Sequence, residues 1–483
     1  MKVRLSNRSS VADVSKLMSG QVFAQAIGFA ATPFIARLYS PDVMGRYAAI
    51  IAVANIVTPI VCLRYEQGII QKSDRTEALA LQVACQYIAG AVSLVLLGVV
   101  AALGGLRGEY HQEYAAWLLM PLLVLLSGVH ASLTTTQISY GQFGRASVLK
   151  SAVSILGQVL KIGLAYGAAA STTSLVASHV VATVVAMVVG FSMLRQDGLL
   201  GLSWQIPRAR VIDAMRRHIR FPKYNSVSTL LGSLSSHAFV PLMALFYSPA
   251  GIGNLVMVRA LVFLPVALMG GAVGDVVYQR CAATGFSSAP IAERIASMVL
   301  LYMVPLAVFP FAFLGYNADW IFPAILGNDW TGAGIIATIL CPYGYVLFVT
   351  STVGTLFLVL GLQRQHMQLT LWLVVVQVFG IALASHAGFL QCLRVYVLAT
   401  CAVILAGYGW LMVKVGVKLR PLLYGFARAS AASFAMIVVT HFTCGGRVIE
   451  AAGQLIFGAV YSSAEFVWAR RALSKRAVNG VQA

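Results

Sequence analysis

Pro33…Tyr39-Ser40-Pro41…Gly45 and Pro241…Tyr247-Ser248-Pro249…Gly253 are one phrase written twice, with all five identities at one constant offset. Each copy sets a proline inside a long apolar run. It closes the run with Tyr-Ser-Pro and reopens it four residues later at a glycine. Proline cannot extend a helix interior, and glycine accepts the backbone angles of a tight turn. The phrase therefore spells a bent helix, a tight turn and a second helix, and the chain contains that unit twice. The echo continues further on, where Arg145…Gln158 is matched by Arg364…Gln377 at a longer interval. The excess fits the stretch around Asp319–Trp330.

The surroundings of the phrase fix the solvent. Of 483 residues, 59% are hydrophobic and only 10% are charged, whereas a soluble domain carries about a quarter. Such a chain is solvated mostly by lipid. A membrane-spanning helix needs about 20 mainly apolar residues. That ruler places helices near 17–37, 47–70, 79–105, 116–138, 147–168, 173–194, 224–247, 252–278, 295–315, 332–360, 368–386, 391–413, 421–442 and 448–468. The expected fold is all-α and polytopic, with about fourteen transmembrane helices. The last is the weakest, because Glu450 and Glu465 lie in it. The first is read as a retained span, being too long for the apolar core of a signal peptide.

The net charge of +19 does not point to nucleic acid. Most of the Lys and Arg fall in alternate connections, among them Arg195–Lys223, Lys414–Arg420 and Arg470–Arg476. That is the positive-inside pattern. It makes both termini cytoplasmic and requires an even number of spans. Within Arg195–Lys223, Val211, Ile212, Met215 and Ile219 recur at helical spacing among arginines. This reads as an amphipathic helix tethered to anionic membrane lipid at the inner surface. The expected organisation is an N-lobe of helices 1–6 over 1–194, this basic linker over 195–223, a C-lobe of helices 7–12 over 224–413, and helices 13–14 with a basic tail over 414–483. Each half holds six helices and starts on the same side, so the lobes are parallel. A polytopic chain built from two such copies is patterned as a transporter. The seven cysteines form no CxxC and are read as buried small hydrophobes.

No catalytic motif is present, so the chain is not read as an enzyme, and neither a cofactor nor a metal site is expected. The informative residues are charges inside the bilayer, which are costly and usually face a cavity. Lys161 lies mid-way along the fifth helix, with Gln158 one turn earlier on the same face. Arg259 lies in the eighth. Arg37 closes the first, which also carries Gln21 and Gln25 on one face. Arg64 and Glu66 lie near the inner end of the second, and Asp275 near that of the eighth. The clearly mid-span charges, Lys161 and Arg259, are cationic and belong to opposite halves. A cavity with a cation on each wall suits an anion, phosphate above all. Pro33 and Pro241, at equivalent places, are candidate gating bends.

The run Gly20-Gln21…Gln25…Pro33…Arg37-Leu38-Tyr39-Ser40-Pro41…Gly45…Leu63-Arg64-Tyr65-Glu66 resembles the opening of the polysaccharide-synthesis transporters. These are the O-antigen, capsule and exopolysaccharide flippases of the multidrug/oligosaccharidyl-lipid/polysaccharide exporter superfamily. The resemblance implies translocation of an undecaprenyl-diphosphate-linked oligosaccharide across a bacterial inner membrane by alternating access. It implies a polysaccharide polymerase and a chain-length regulator as partners. Three other activities compete. A peptidoglycan-precursor flippase is a close relative with the same physics, and the opening motif favours the polysaccharide branch. A cation-coupled drug exporter of the same superfamily needs a membrane-embedded carboxylate, and no Asp or Glu occurs between Asp13 and Asp42. A polysaccharide polymerase or ligase needs a large external loop, and the external connections are short.

Overall fold

A computed structural model describes residues 7–70, 75–106, 113–167, 170–196, 206–267, 289–443 and 446–479. Among them no strand occurs. The first half comprises α1 (Asn7–Leu38), α2 (Pro41–Val57), α3 (Glu66–Ile70), α4 (Arg75–Leu106), α5 (Tyr114–Ser139), α6 (Phe143–Gly167) and α7 (Thr172–Gln196). The middle comprises α8 (Arg208–Arg217), α9 (Ser226–His237), α10 (Phe239–Ala244) and α11 (Pro249–Val262). The remainder comprises α12 (Ala289–Tyr316), α13 (Ala318–Leu326), α14 (Ala333–Ser351), α15 (Leu356–Val359), α16 (Gln363–Ala384), α17 (Phe389–Val415), α18 (Leu419–Thr443) and α19 (Arg447–Asn479). Among the described residues, 10 helices are long and apolar enough to cross a membrane, and Phe23–Leu38 and Pro249–Val262 are shorter apolar helices. The protein is thus an all-α, multi-pass membrane protein. The seventh and fourteenth stretches are helical without joining that set. The seventh is divided, and α19 carries too much polar sequence. Leu383, Leu398, Phe434 and Phe442 stand open on their helices, a surface that lipid solvates and water does not.

The repeated phrase folds the same way twice. Tyr39 N–H closes the last turn of α1 on Ile35 O at 3.1 Å, and Tyr247 N–H does the same on Met243 O at 3.0 Å. Ser40 caps α2 by accepting from Val43 N at 3.5 Å, and Ser248 accepts from Gly251 N at 3.4 Å. Pro41 and Pro249 then occupy the first helical position, where a missing N–H costs nothing. The two turns also meet. A Cβ at Gly45 would fall on the Pro249 carbonyl and 2.9 Å from Gly253 N; one at Gly253 would fall on the Pro41 carbonyl and 3.1 Å from Gly45 N. The contact is reciprocal, and only glycine lets two helix backbones approach so closely.

A second matched pair closes α5 and α15. Gly141 and Gly361 adopt φ of 75° and 68°. The following N–H groups reach back to Gln137 O at 2.9 Å and Phe357 O at 2.7 Å. This is the left-handed glycine stop of a helix end. Its interval is one residue longer than that of Arg145/Arg364. In this register Gln158 corresponds to Val378, not to Gln377.

Two compact units divide the chain, Met1–Val256 and Met257–Ala483. In the first, α9 and α10 lie along α2, so part of the second copy groups with the first. A core of Leu79, Leu133 and Leu194 ties α4, α5 and α7 together. In the second, Leu300, Val353, Phe357, Leu411 and Met412 form the corresponding apolar centre.

Three local details depart from the sequence reading. The second stretch, expected as one helix over 47–70, breaks after Val57 into a 3-10 turn over Thr58–Ile60 and a bend in which Leu63 and Arg64 take φ of 48° and 61°. Pro59 removes the N–H that would continue the helix. The seventh stretch divides at Ala238, three residues before Pro241, whereas α1 runs unbroken through Pro33. Helix α8, expected to lie on lipid, packs against protein. Val211 and Ala214 are buried against α4, while Ile212 and Ile219 remain open. Tyr65 donates to Met215 O at 3.2 Å, and His218 Nε2 lies 3.2 Å from Glu77 Oε1. Apolar spacing alone could not tell a lipid-facing stripe from one shared between lipid and a neighbouring helix.

Candidate functional site

In the first unit the ends of α1 and α2 pack on α6 and α7 around Lys161. The buried Tyr39 hydroxyl donates to Lys161 O at 2.8 Å, with the Ser174 hydroxyl within hydrogen-bonding reach. The Lys161 ammonium lies 5.1 Å from the centroid of the Tyr47 ring, a cation–π contact of roughly 0.5–2 kcal/mol. The imidazole of His179 on α7 is within electrostatic range of it. Gln158, a turn earlier on α6, reaches α1 at Gly28, where an added Cβ would lie 3.3 Å from Gln158 Nε2. Gln158 Oε1 and His179 Nδ1 are buried and, among the described residues, have no hydrogen-bond partner. No carboxylate pairs with Lys161 among the described residues. The result is a cation, an amide and an imidazole with unused capacity, held by aromatic hydroxyls and rings.

The other candidates of this unit fall elsewhere. Arg37 is exposed on the last turn of α1, where a cation suits the helix dipole. Gln25 is exposed on the same helix. The side chain of Gln21 lies outside the described residues, as does Asp275. Arg64 does not join Lys161. It pairs with Glu66 at 3.3 Å inside the break after α2, with the stretch from Tyr47 to Val57 between, on the order of 15 Å of helix. Arg64 Nε and Glu66 Oε2 remain buried without partners among the described residues.

In the second unit Arg259 sits over the Phe263 ring at 5.5 Å. Phe263 meets Tyr343 edge-on at 5.3 Å, and Tyr343 meets Tyr396 at 6.0 Å. Arginine is thus held on an aromatic wall by α11, α14 and α17. The same unit contains an apolar cavity of about 730 Å³ lined by α12, α14 and α18, among others by Val308, Phe311, Tyr345, Val349, Leu422 and Phe426. Three of its hydroxyls are turned into backbone: Thr338 bonds Gly315 O at 3.0 Å, Tyr345 bonds Val304 O at 3.2 Å and Thr350 bonds Val346 O at 2.7 Å. The cavity therefore offers hydrocarbon to a guest, and its volume lies in the range of small-molecule sites.

Tyr39, Tyr47, Tyr343 and Tyr396 were not singled out as site residues from the sequence. Tyr39 was in plain view within the repeated phrase, but its partner Lys161 is 122 residues away.

Comparisons with known proteins agree with this architecture. The family model described as polysaccharide biosynthesis protein matches residues 34–334. Among solved structures, the chain is similar to a lipid II flippase, MurJ, in an inward closed conformation, with a TM-score of 0.67 at 13% identity over 92% of this chain and 98% of that one. It is also similar to a multidrug resistance MATE family transporter of the MOP superfamily in an inward-facing conformation, with a TM-score of 0.60 at 14% identity over 81% of this chain and 94% of that one. No curated protein matches.

Proposed function

The chain belongs to the polysaccharide biosynthesis protein family, and from that premise we propose that it flips an undecaprenyl-diphosphate-linked oligosaccharide from the inner to the outer leaflet of a bacterial inner membrane. Its fold is that of the flippases and transporters of the MOP superfamily. The carrying observation is Lys161. It is a half-buried cation among polar groups, with no carboxylate partner among the described residues. An anionic cargo supplies the missing charge, and Lys and Arg are the residues that meet phosphate. Gln158, Gln21 and Gln25 are assigned to the sugar, and Arg259, Arg37 and Arg64 to the approach of the diphosphate. The apolar cavity beside Phe311 and Phe426 suits part of the isoprenoid chain.

In this reading the lobes alternate between inward and outward access. The crossing of the two Tyr-Ser-Pro turns is the closed outer gate, and Pro33 and Pro241 are the bends on which helices one and seven swing. Both termini lie in the cytoplasm. A polymerase and a chain-length regulator receive the product. Export of a cationic drug is disfavoured, because no Asp or Glu stands between Asp13 and Asp42.

The test is export of surface polysaccharide in cells that depend on this chain, with protein level measured in parallel. Lys161→Ala and Arg259→Ala each remove a charged contact worth about 1.5–3 kcal/mol, so apparent affinity for the glycolipid drops by about one to two decades. Lys161→Arg and Arg259→Lys retain part of the activity. Full export in both alanine variants refutes the cationic site.

A further inference from the structure

The lipid-diphosphate reading makes no use of a polar cluster where α12 ends and the α18–α19 turn begins. The Tyr316 hydroxyl stands 3.0 Å from His441 Nδ1 and 3.1 Å from Glu450 Oε1. Imidazole and carboxylate are 3.6 Å apart. Behind them Gln454 Nε2 donates to Glu450 Oε1 at 3.4 Å and to Thr440 Oγ1 at 3.0 Å. Gln454 Oε1 accepts from Asn317 Nδ2 at 2.7 Å. Exposure falls along this line. The side chain is 60% exposed at His441 and 11% at Glu450, and Gln454 is wholly buried.

Two further charges, Asp319 and Arg447, lie within electrostatic range of Tyr316 and act on it with opposite signs. Arg447 of α19 and Asp319 of α13 pair with each other at 2.8 Å. The remaining contacts named from α12, α13, α18 and α19 are neutral: Asn317, Trp320, Thr440 and Gln454. Among the described residues, the one ionic partner of Glu450 is His441.

A tyrosine hydroxyl carries one hydrogen. With Glu450 ionised and Nδ1 unprotonated, Tyr316 faces two acceptors and can satisfy one. One added proton on the imidazole completes the chain: Nδ1–H donates to the Tyr316 oxygen, and Tyr316 O–H donates to Glu450 Oε1. The proton can then advance. Tyr316 takes the Nδ1 proton as its own passes to Glu450 Oε1. Imidazolium becomes imidazole, carboxylate becomes carboxylic acid, and the tyrosine ends as it began. The reversed chain is equally complete, with Glu450 O–H donating to Tyr316 and Tyr316 to Nδ1.

We propose that His441, Tyr316 and Glu450 form a proton-loading site, which takes one proton from the face bearing the α18–α19 turn and stores it on Glu450. The charge pattern assigns that face to the outside. Tyr316 also lines the apolar cavity, so the polarity of the chain is felt at the cavity wall. The inference deepens the proposed transport by naming the proton as its coupling ion. It rests on that reading only for the flux measurement below.

The direct test is infrared difference titration of the full-length protein in lipid nanodiscs, from about pH 8 to 5, the range of a histidine switch. A protonated-carboxyl band grows as pH falls, is absent in Glu450→Gln, and moves its midpoint in Tyr316→Phe and His441→Gln. No such band in the parent protein, a band that persists in Glu450→Gln, or a midpoint unmoved in both relay variants overturns the proposal. The second measurement uses vesicles and an undecaprenyl-diphosphate glycan. The ratio of flux with an inward proton gradient to flux without one exceeds unity in the parent protein and falls to unity in Glu450→Gln. An unchanged ratio overturns the relay. If no glycan moves in any vesicle, the cargo reading has failed, and the titration still decides the proton site.

Discussion

A methyl group at Gly45 would land on the Pro249 carbonyl, and one at Gly253 on the Pro41 carbonyl. Overpacking of this kind costs about 1–3 kcal/mol, so Gly45→Ala and Gly253→Ala each lower thermal stability by an amount in that range. Because both disturb one crossing, the double variant loses less than the two single losses combined, by about 0.5 kcal/mol or more. Strict additivity in a denaturation cycle would show the glycines to be independent and the crossing absent. The chemistry of the turns was legible in the sequence, since Ser40, Pro41 and Gly45 act within a few residues of one another. The partners of Lys161 were not, because Tyr39 and Tyr47 reach it only after α1, α2 and α6 have packed. By sequence alone Glu450 weakens the last helix as a span. It is instead covered by Tyr316 and Gln454, side chains that periodicity cannot place beside it.

Among whole elements, the most exposed to error was the linker. Its arginines and its apolar spacing were visible, and they suggested a helix lying on lipid. The buried side is set by Val211 together with Ala214, the latter too small to register in an apolar stripe. Replacing Ala214 by Arg drives a charged side chain into the contact with α4, and the resulting buried charge is destabilising. Trypsin then cuts after Arg216 or Arg217 several-fold faster in the variant than in the parent, while the melting temperature of the rest of the chain changes little. Equal cleavage rates would mean that α8 is not held by that face. The break after α2 follows the same lesson. Pro59 stood in the sequence, but its effect depends on the packing of Cys62 and Tyr65, both buried, which holds Leu63 and Arg64 at positive φ.

For the molecule as a whole, helix positions came from hydropathy and orientation from charge, two signals that are independent. Most of the fourteen stretches are helical where described, and among the described residues ten helices carry the length and hydropathy of a span. Reporter fusions resolve the remainder. Fusions after Arg75, Arg220 and Arg476 report cytoplasm, and fusions near Glu109 and Asp329 report the external side. An external signal after Arg476 removes α19 from the set of spanning helices.

The reciprocal crossing of Gly45 and Gly253 also has a symmetry. A contact in which one residue meets a second while the second's twin meets the first's is what a two-fold axis imposes on identical subunits. Two copies of a half-length chain could make the same contact with each other as a homodimer. In the offset of the repeated phrase Arg259 corresponds to Ile51, and in the offset of the glycine stops Lys161 corresponds to Ile381. A homodimer would carry each cation twice or not at all; this chain keeps the crossing symmetrical and carries each cation once.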